Sequence, residues 1–179
     1  MTGEPQPTVS ILSADDVVAH LPELGALLRA CVHAGAAINF VLPYTEDDGR
    51  AFWTGKVLPG VRQGVRSVLV AWVGGRIAGS VQLDTDTPPN QPHRAEVSKL
   101  MVHPEFRRQG IARTLMVELE RLAGRQGRSL ITLDTRTGDH AEPLYASLGY
   151  RTVGVIPGYS LDPLDQDRLD ATTIMYKAL

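Results

Sequence analysis

Changes in the spacing of apolar residues divide this chain into elements. Thr8 to Leu12 alternates over a short strand. Ser13, with Asp15 and Asp16 behind it, supplies an N-cap and an acidic first helical turn. The helix that follows carries Val17, Val18, Leu21, Leu24, Leu27, Leu28 and Cys31 at helical spacing; Pro22 kinks or restarts it, and Gly35 ends it. A second helix opens near Thr45 with Glu46, Asp47 and Asp48, passes Phe52 and Trp53 and stops before Pro59-Gly60. Ser67 to Val73 and Arg76 to Leu83 are β-rich runs whose Gly74-Gly75 junction predicts a tight hairpin.

A proline-rich loop, Asp84 to Pro92, leads to a strand from His93 to Val102. Its apolar residues fall on odd numbers at Ala95 and Val97, then on even ones at Leu100 and Val102. Side chains on a strand alternate strictly, so this change of parity predicts a β-bulge near Ser98-Lys99. An amphipathic helix follows from about Gln109 to Ala123, with Ile111, Leu115, Leu119 and Leu122 on one face and Gly124 as its stop. Ser129 to Thr135 reads as a buried strand, so the strand–helix–strand order from Val97 to Leu133 implies a parallel pair joined by a right-handed crossover. Asp139 and Glu142 resemble a capping box opening a short helix through Leu148, ended by Gly149. Tyr150 to Ile156 and Thr172 to Tyr176 complete the sheet. The predicted fold class is α/β: a mixed, mostly antiparallel sheet with a bulged strand and one parallel crossover, flanked by helices.

At 179 residues the chain suits one domain, expected over 8–179 behind a frayed polar tail at 1–7. Eighteen Lys and Arg against 20 Asp and Glu give a formal net charge of −2, without the basic excess that draws proteins to nucleic acid or anionic membranes. The start has no basic and then apolar leader, and no apolar run approaches the ~18 to 20 residues of a membrane span. The lone Cys31 excludes an internal disulfide and a cysteine-rich zinc cage. The histidines show no metal-ligand spacing, so no metal is expected. These features place the chain in the cytoplasm.

Chemistry concentrates between Met101 and Arg113. A strand ends, a basic loop follows, and a helix begins at a glycine, so free backbone N–H groups converge at a positive helix end suited to a phosphate or pyrophosphate. Gly110 allows close approach, Ala112 keeps the next turn open, and Arg107, Arg108 and Arg113 add charge. The blander alternative is a glycine that merely starts a helix beside solvated arginines. No G-x-x-x-x-G-K-(S/T) occurs, which excludes a P-loop, and Gly110, Ala112 and Leu115 do not make the three-glycine dinucleotide fingerprint.

Arg107-x-x-Gly110-x-Ala112, after Leu100-Met101-Val102-His103-Pro104, resembles motif A of the GNAT superfamily of N-acetyltransferases, (Q/R)-x-x-G-x-(G/A). Leu144-Tyr145-x-x-Leu148-Gly149-Tyr150 resembles its motif B. This likeness spans about Ser67 to Ile156. A closer one, to the tabtoxin-resistance acetyltransferases, extends through His93 to Met101, Leu133-Asp134-Thr135 and Pro157-Gly158-Tyr159. The resemblance implies the GNAT fold and acetyl-CoA as cosubstrate, lying where the bulged strand splays from its parallel neighbour. Pantetheine would pair with the backbone of Leu100, Met101 and Val102. The pyrophosphate would rest on the loop through Arg107, Arg108, Gln109, Gly110, Ile111, Ala112 and Arg113. Many members carry an asparagine before motif B; Gly138 stands here, which puts one familiar cofactor contact in doubt.

Acetyl transfer to an amine needs a neutral amine, and an alkyl ammonium of pKa ~10.4 is neutral only about one time in a thousand near pH 7.4. Glu96, just before the bulge, and Asp134, at the C-terminal end of the parallel strand, are the candidate bases; an ordinary ion pair or cap is the alternative for each. The resemblance makes Tyr145 the proton donor to the departing CoA sulfur, against a core-packing alternative. Cys31, in an apolar helical stripe, reads as a buried structural thiol, and His103 and His140 as loop and helix-start residues. Asn39, Phe40 and Trp53 are candidates for the acceptor pocket. The leading expectation is direct acetyl transfer to the primary amine of a small, amino acid-like molecule. Protein N-terminal or lysyl acetylation and a non-catalytic acyl-CoA-binding module are the alternatives. A homodimer is left open by the resemblance.

Overall fold

A computed structural model describes residues 7–179; most of the expected tail at 1–7 lies outside the described residues. Strand β1 (Thr8–Leu12) leads into α1 (Ala14–Ala19) through a complete capping box: Asp16 N–H donates to Ser13 Oγ at 3.1 Å and Ser13 N–H donates to Asp16 Oδ2 at 2.9 Å. Pro22 restarts the helix, falling in the first turn of α2 (Leu21–His33), where its missing N–H costs nothing. Thr45 and Asp48 cap α3 (Glu46–Phe52) in the same way as Ser13 and Asp16.

Pro59 does not end this region. A π-helical turn over Trp53–Val57 passes the chain into α4 (Leu58–Arg62), with Pro59 again in a first turn. Trp53 is fully buried and donates its indole N–H to the Leu24 carbonyl at 3.0 Å, so this turn belongs to the core.

The hairpin of β2 (Arg66–Val73) and β3 (Arg76–Asp84) turns at Gly74-Gly75 as read, and β4 covers Arg94–Val102. Helix α5 (Ile111–Arg125) runs past Gly124, which lies inside it; the last turn closes onto Gln126, and the left-handed residue beyond is Gly127 at φ 72°. Strand β5 is Leu130–Arg136 and α6 is Ala141–Ser147. The Asp139–Glu142 capping box does not form: His140 is the N-cap, without a side-chain cap bond, and Glu142 instead accepts from the Gly138 N–H at 2.7 Å.

Strands β6 (Arg151–Leu161) and β7 (Leu169–Ala178) are both longer than their apolar runs. Strand β6 continues through Pro157 because it is the edge strand, where a missing N–H and a register shift are tolerated. Its outer residues Val153, Val155, Ile156 and Tyr159 are exposed.

The seven strands run β1-β2-β3-β4-β5-β7-β6, and β4–β5 is the single parallel pair. Alternation sends Leu69, Ala71, Val81, Leu83, Ala95 and Val97 to one face, where they meet Leu115, Met116 and Leu119 of α5 and Tyr145 of α6. Val68, Val70 and Ile77 face the other way, into Leu24, Leu27, Leu28 and Trp53. Each fully buried leucine contributes roughly 1.5–3 kcal/mol.

Two irregularities in this sheet build the site. Met101 pairs with Ser80, but Ser98 pairs with Gln82, so β4 spends one residue more than β3 over the same stretch. Lys99 holds φ 53° at that point, which is the bulge the parity predicts. Beside it Gly79 lets β3 come close: a Cβ there would lie 2.6 Å from the Met101 carbonyl oxygen and 3.1 Å from Ile111 Cγ2. Gly79→Ala must therefore push β4 or α5 outward, at roughly 1–3 kcal/mol as overpacking does. The expected result is a lower urea midpoint at unchanged slope.

Candidate active site

Beyond the bulge β4 and β5 part. Their pairing covers only Arg94–Glu96 against Leu130–Thr132, after which β5 continues on β7 alone. The edge of β4 facing β5 is left without a strand partner from Ser98 onward, and a cleft of about 740 Å³ opens there. Leu100, Met101 and Val102 form its floor, Arg107 to Arg113 one end, and Arg136, Asp139, His140 and Leu144 the opposite wall. Gln109 alone of the expected loop residues is not in the lining.

Helix α5 enters this cleft by its N-terminus. Gly110 is the N-cap at φ 75°, offers no side-chain cap, and has open space where a Cβ would stand. No acidic residue occupies the first turn. The first N–H groups of a helix have no partner within it. Among the described residues no other protein group accepts from those of Gly110 to Arg113, because the first bond is Thr114 N–H to the Gly110 carbonyl at 3.0 Å. Arg108, at φ 62°, takes a left-handed turn just ahead of this helix start. Arg107, Arg108 and Arg113 form no ion pair among the described residues, and Arg113 donates to Ser147 Oγ at 2.7 Å. Unsatisfied N–H groups, a positive dipole end and three uncompensated guanidiniums are what a diphosphate requires, so the residues present fit the nucleotide end of acetyl-CoA. Among the described residues no cluster of His, Cys, Asp and Glu is arranged to hold a metal ion.

A second cleft, of about 560 Å³, adjoins the first at Lys99–Leu100. Glu96 and Ser98 stand on the sheet face opposite α5 and line it, with Gln82 and Asp84 of β3 beside them. Asn39 and Phe40 line it as expected; Trp53 does not, being core. The bulge places Ser98 and Lys99 in succession on this one side. Lys99 sits over the rings of Phe40 and Phe52, 5.3 and 5.7 Å from their centroids. Burial brings its ammonium down to about 8, although Asp134 pulls the other way.

The candidate catalytic residues are not equally placed. Glu96 is exposed in the second cleft, 3.5 Å from Arg94. Asp134 shares its sheet face, accepts from Thr172 Oγ1 at 3.2 Å and lines neither cleft. Tyr145 is 5% exposed, packs edge-on to Tyr150 and is absent from the lining of both clefts; burial, with Asp134 and Asp139 nearby, raises its hydroxyl well above the usual range.

Arg136, Lys99 and Gln82 were missed from the sequence. Arg136 ties the mouth of the first cleft together, reaching Asp139, Asp162, Asp170 and the Gly35 carbonyl at 3.0–3.4 Å. No local spacing betrays these partners. Lys99 was within reach, because a bulge necessarily aims one extra side chain at one face.

Cys31 also touches the first cleft, yet it is 1% exposed, its Sγ lies 3.5 Å from the Val102 carbonyl oxygen, and burial pushes its thiol up to about 12. A raised pKa leaves the neutral thiol at pH 8, so iodoacetamide should label the native protein at least ~100-fold more slowly than the unfolded chain. Peptide mapping checks this, and labelling at the unfolded rate contradicts it.

A bulged strand that splays from its parallel partner beside an uncapped helix N-terminus is the arrangement that the GNAT resemblance implies. The profile of the acetyltransferase (GNAT) family matches residues 27–150, and the chain belongs to that family. It is 32% identical over 115 residues to an uncharacterized N-acetyltransferase of Azospirillum brasilense (63% of this chain, 66% of that protein). It is 39% identical over 89 residues to an acetyltransferase of Pectobacterium atrosepticum (49% of this chain, 60% of that protein). The chain thus spans two thirds or less of these curated relatives.

Among solved structures, a putative acetyltransferase from Salmonella typhimurium with its cofactor acetyl-CoA superposes with a TM-score of 0.75 at 21% identity, over 97% of this chain and 94% of that one. A ribosomal-protein-alanine N-acetyltransferase from Brucella melitensis gives 0.78 at 23%, over 96% and 99%. These likenesses show the fold. Among the described residues no helix is long and apolar enough to cross a membrane.

Proposed function

We propose that this protein transfers the acetyl group of acetyl-CoA directly to the primary amine of a small, amino acid-like molecule. The observation that carries this reading is the pair of adjoining clefts. One ends at the uncapped α5 N-terminus, and the other, about 560 Å³ and carrying Glu96, has the size of a small-molecule site. When bound, acetyl-CoA supplies an activated thioester. The backbone edge of Leu100, Met101 and Val102 would orient its pantetheine arm, and the N–H groups from Gly110 to Arg113, with Arg107 and Arg108, would hold its diphosphate.

Glu96 borders the second cleft and is assigned the role of taking the proton from the acceptor ammonium. Asp134, on the same face but outside the lining, supplies negative charge close to it. Tyr145 is assigned the proton that the departing sulfur needs, the role the resemblance gives it; burial keeps the hydroxyl protonated at neutral pH but makes it a weaker acid, so the transfer relies on the basicity of the leaving thiolate. Its position in the core agrees with positioning by α6 as well. The resemblance to tabtoxin-resistance enzymes supports an amino acid-like acceptor.

The test is a thiol-release screen with acetyl-CoA against small amines, amino acids, polyamines and amine antibiotics, run beside peptides. Turnover of small amines is expected. Turnover of peptides alone overturns the acceptor class, and acetyl-CoA binding without turnover of anything points to a binding module. The exposed apolar residues Val153, Val155 and Tyr159 of β6 favour a homodimer through that edge strand, which light scattering would reveal.

A further inference from the structure

The second cleft holds a cation and an amide that the chain itself leaves unanswered. Four cations line it (Lys56, Arg66, Arg94 and Lys99) against three carboxylates (Asp84, Asp86 and Glu96). Arg66 is paired with Asp84, and Arg94 lies 3.5 Å from Glu96. Lys56 and Asp86 are both exposed, and neither forms an ion pair among the described residues. Lys99 makes no ion pair among the described residues and rests only on the faces of Phe40 and Phe52. Ring faces offset part of the cost of taking an ammonium out of water, but they leave its N–H donors without an acceptor.

Next to it on the sheet, Gln82 is 0% exposed, lines the same cleft, and finds no protein partner for either its Oε1 or its Nε2. A buried polar group left unpaired is costly, and the half-buried Lys99 ammonium has only the charge of Asp134, beyond ion-pair distance and opposed by Arg66, to offset its loss of water. Both debts are settled together by one ligand group, an anion able to accept from Lys99 Nζ and from the Gln82 amide.

We infer that Lys99 and Gln82 form a carboxylate subsite in the acceptor cleft, so that the preferred acceptors are amines that also bear a carboxylate, with the amine turned toward Glu96. This rests on the small-molecule acetyltransferase reading and narrows it. The bulge is what makes the subsite: in a regular strand Lys99 would alternate away from Ser98, whereas here both line the cleft.

The experiment compares each amino acid that turns over with its own carboxamide, which keeps the amine and removes the charge. Because the carboxamide's α-amine is the less basic of the two, more of it is neutral near pH 7.5, so chemistry alone would favour it. Wild type is expected to prefer the acid by roughly 10- to 100-fold in kcat/KM, the range a charge-assisted hydrogen bond supplies, with the difference residing in KM. Lys99→Met and, independently, Gln82→Met should shrink that ratio, and Lys99→Glu should reverse it. Melting curves identify any variant that fails to fold, and the wild-type ratio decides without them. Equal use of acid and carboxamide by wild type, or a preference that survives both substitutions, overturns the subsite while leaving small-amine acetylation standing. Release of CoA with peptides but with no small amine overturns that reading and the subsite with it.

Discussion

Gly110→Val is expected to weaken acetyl-CoA binding by at least ~100-fold, or roughly 2.7 kcal/mol, while the chain still folds. Gly110 stands at φ 75° as the N-cap of α5, and a Cβ there meets nothing within 4 Å. The protein pays no steric penalty against its own atoms. The cost is conformational: a left-handed backbone disfavours an ordinary residue by roughly 1–2 kcal/mol, and a β-branched one more. Relief of that strain turns the Gly110 to Arg113 N–H groups away from their point of convergence. Even where the turn is kept, the isopropyl group fills the space that the cradle leaves for a diphosphate. Calorimetry with acetyl-CoA and a thermal melt separate the two effects: a modest fall in Tm with a large loss of affinity is expected. Undiminished affinity would mean that the nucleotide binds elsewhere.

Glu96→Gln is expected to lower kcat by roughly 10²–10⁴-fold, the usual contribution of a positioned base, with acetyl-CoA affinity unchanged. Glu96 lines the acceptor cleft and not the cofactor cleft, so the loss should fall on the chemical step. The sign of the pH effect follows from the acceptor. Its ammonium must lose a proton, and an alkyl amine of pKa ~10.4 is almost wholly charged near neutrality. Without a base the rate should depend on the neutral fraction and climb about tenfold per pH unit toward the amine pKa, so that the deficit narrows at high pH. A variant that keeps wild-type turnover and a wild-type pH profile would move the base to Asp134, where Asp134→Asn is the corresponding substitution.

What the sequence disclosed about this site came from local rules. The Ser13 N-cap, the Gly74-Gly75 turn and the helix start at Gly110 each depend on a few neighbouring residues, and each forms as read. The bulge was legible because a change of parity from Val97 to Leu100 has few other causes on a strand that keeps one face buried. Local rules erred where tertiary context decides. Pro59 looked like a stop but serves as a first-turn residue once Trp53 is anchored to Leu24. Gly124 looked like a terminus but lies within a helix held by Leu122 and Ala123 packed against the sheet. Strand β6 outran its apolar pattern because pairing with β7, not burial, sustains it.

The acceptor cleft was the least legible part of the molecule. Gln82, Asp84, Glu96 and Lys99 come from two strands, and Asn39 and Phe40 from the segment between α2 and α3. Only folding brings them to one wall. Nothing near Gln82 in the sequence says that its amide is buried unpaired, and nothing near Lys99 says that Arg66 and Arg94 have already taken the carboxylates within their reach.

The most direct measurement of the cradle itself is a backbone amide NMR titration with acetyl-CoA, repeated with acetylpantetheine, which lacks the diphosphate and nucleotide. The N–H signals of Gly110, Ile111, Ala112 and Arg113 should move strongly with acetyl-CoA and little with the shorter thioester, while those of Leu100 to Val102 should respond to both. Saturation by acetyl-CoA with the four helix-start signals unmoved would contradict the diphosphate site at α5.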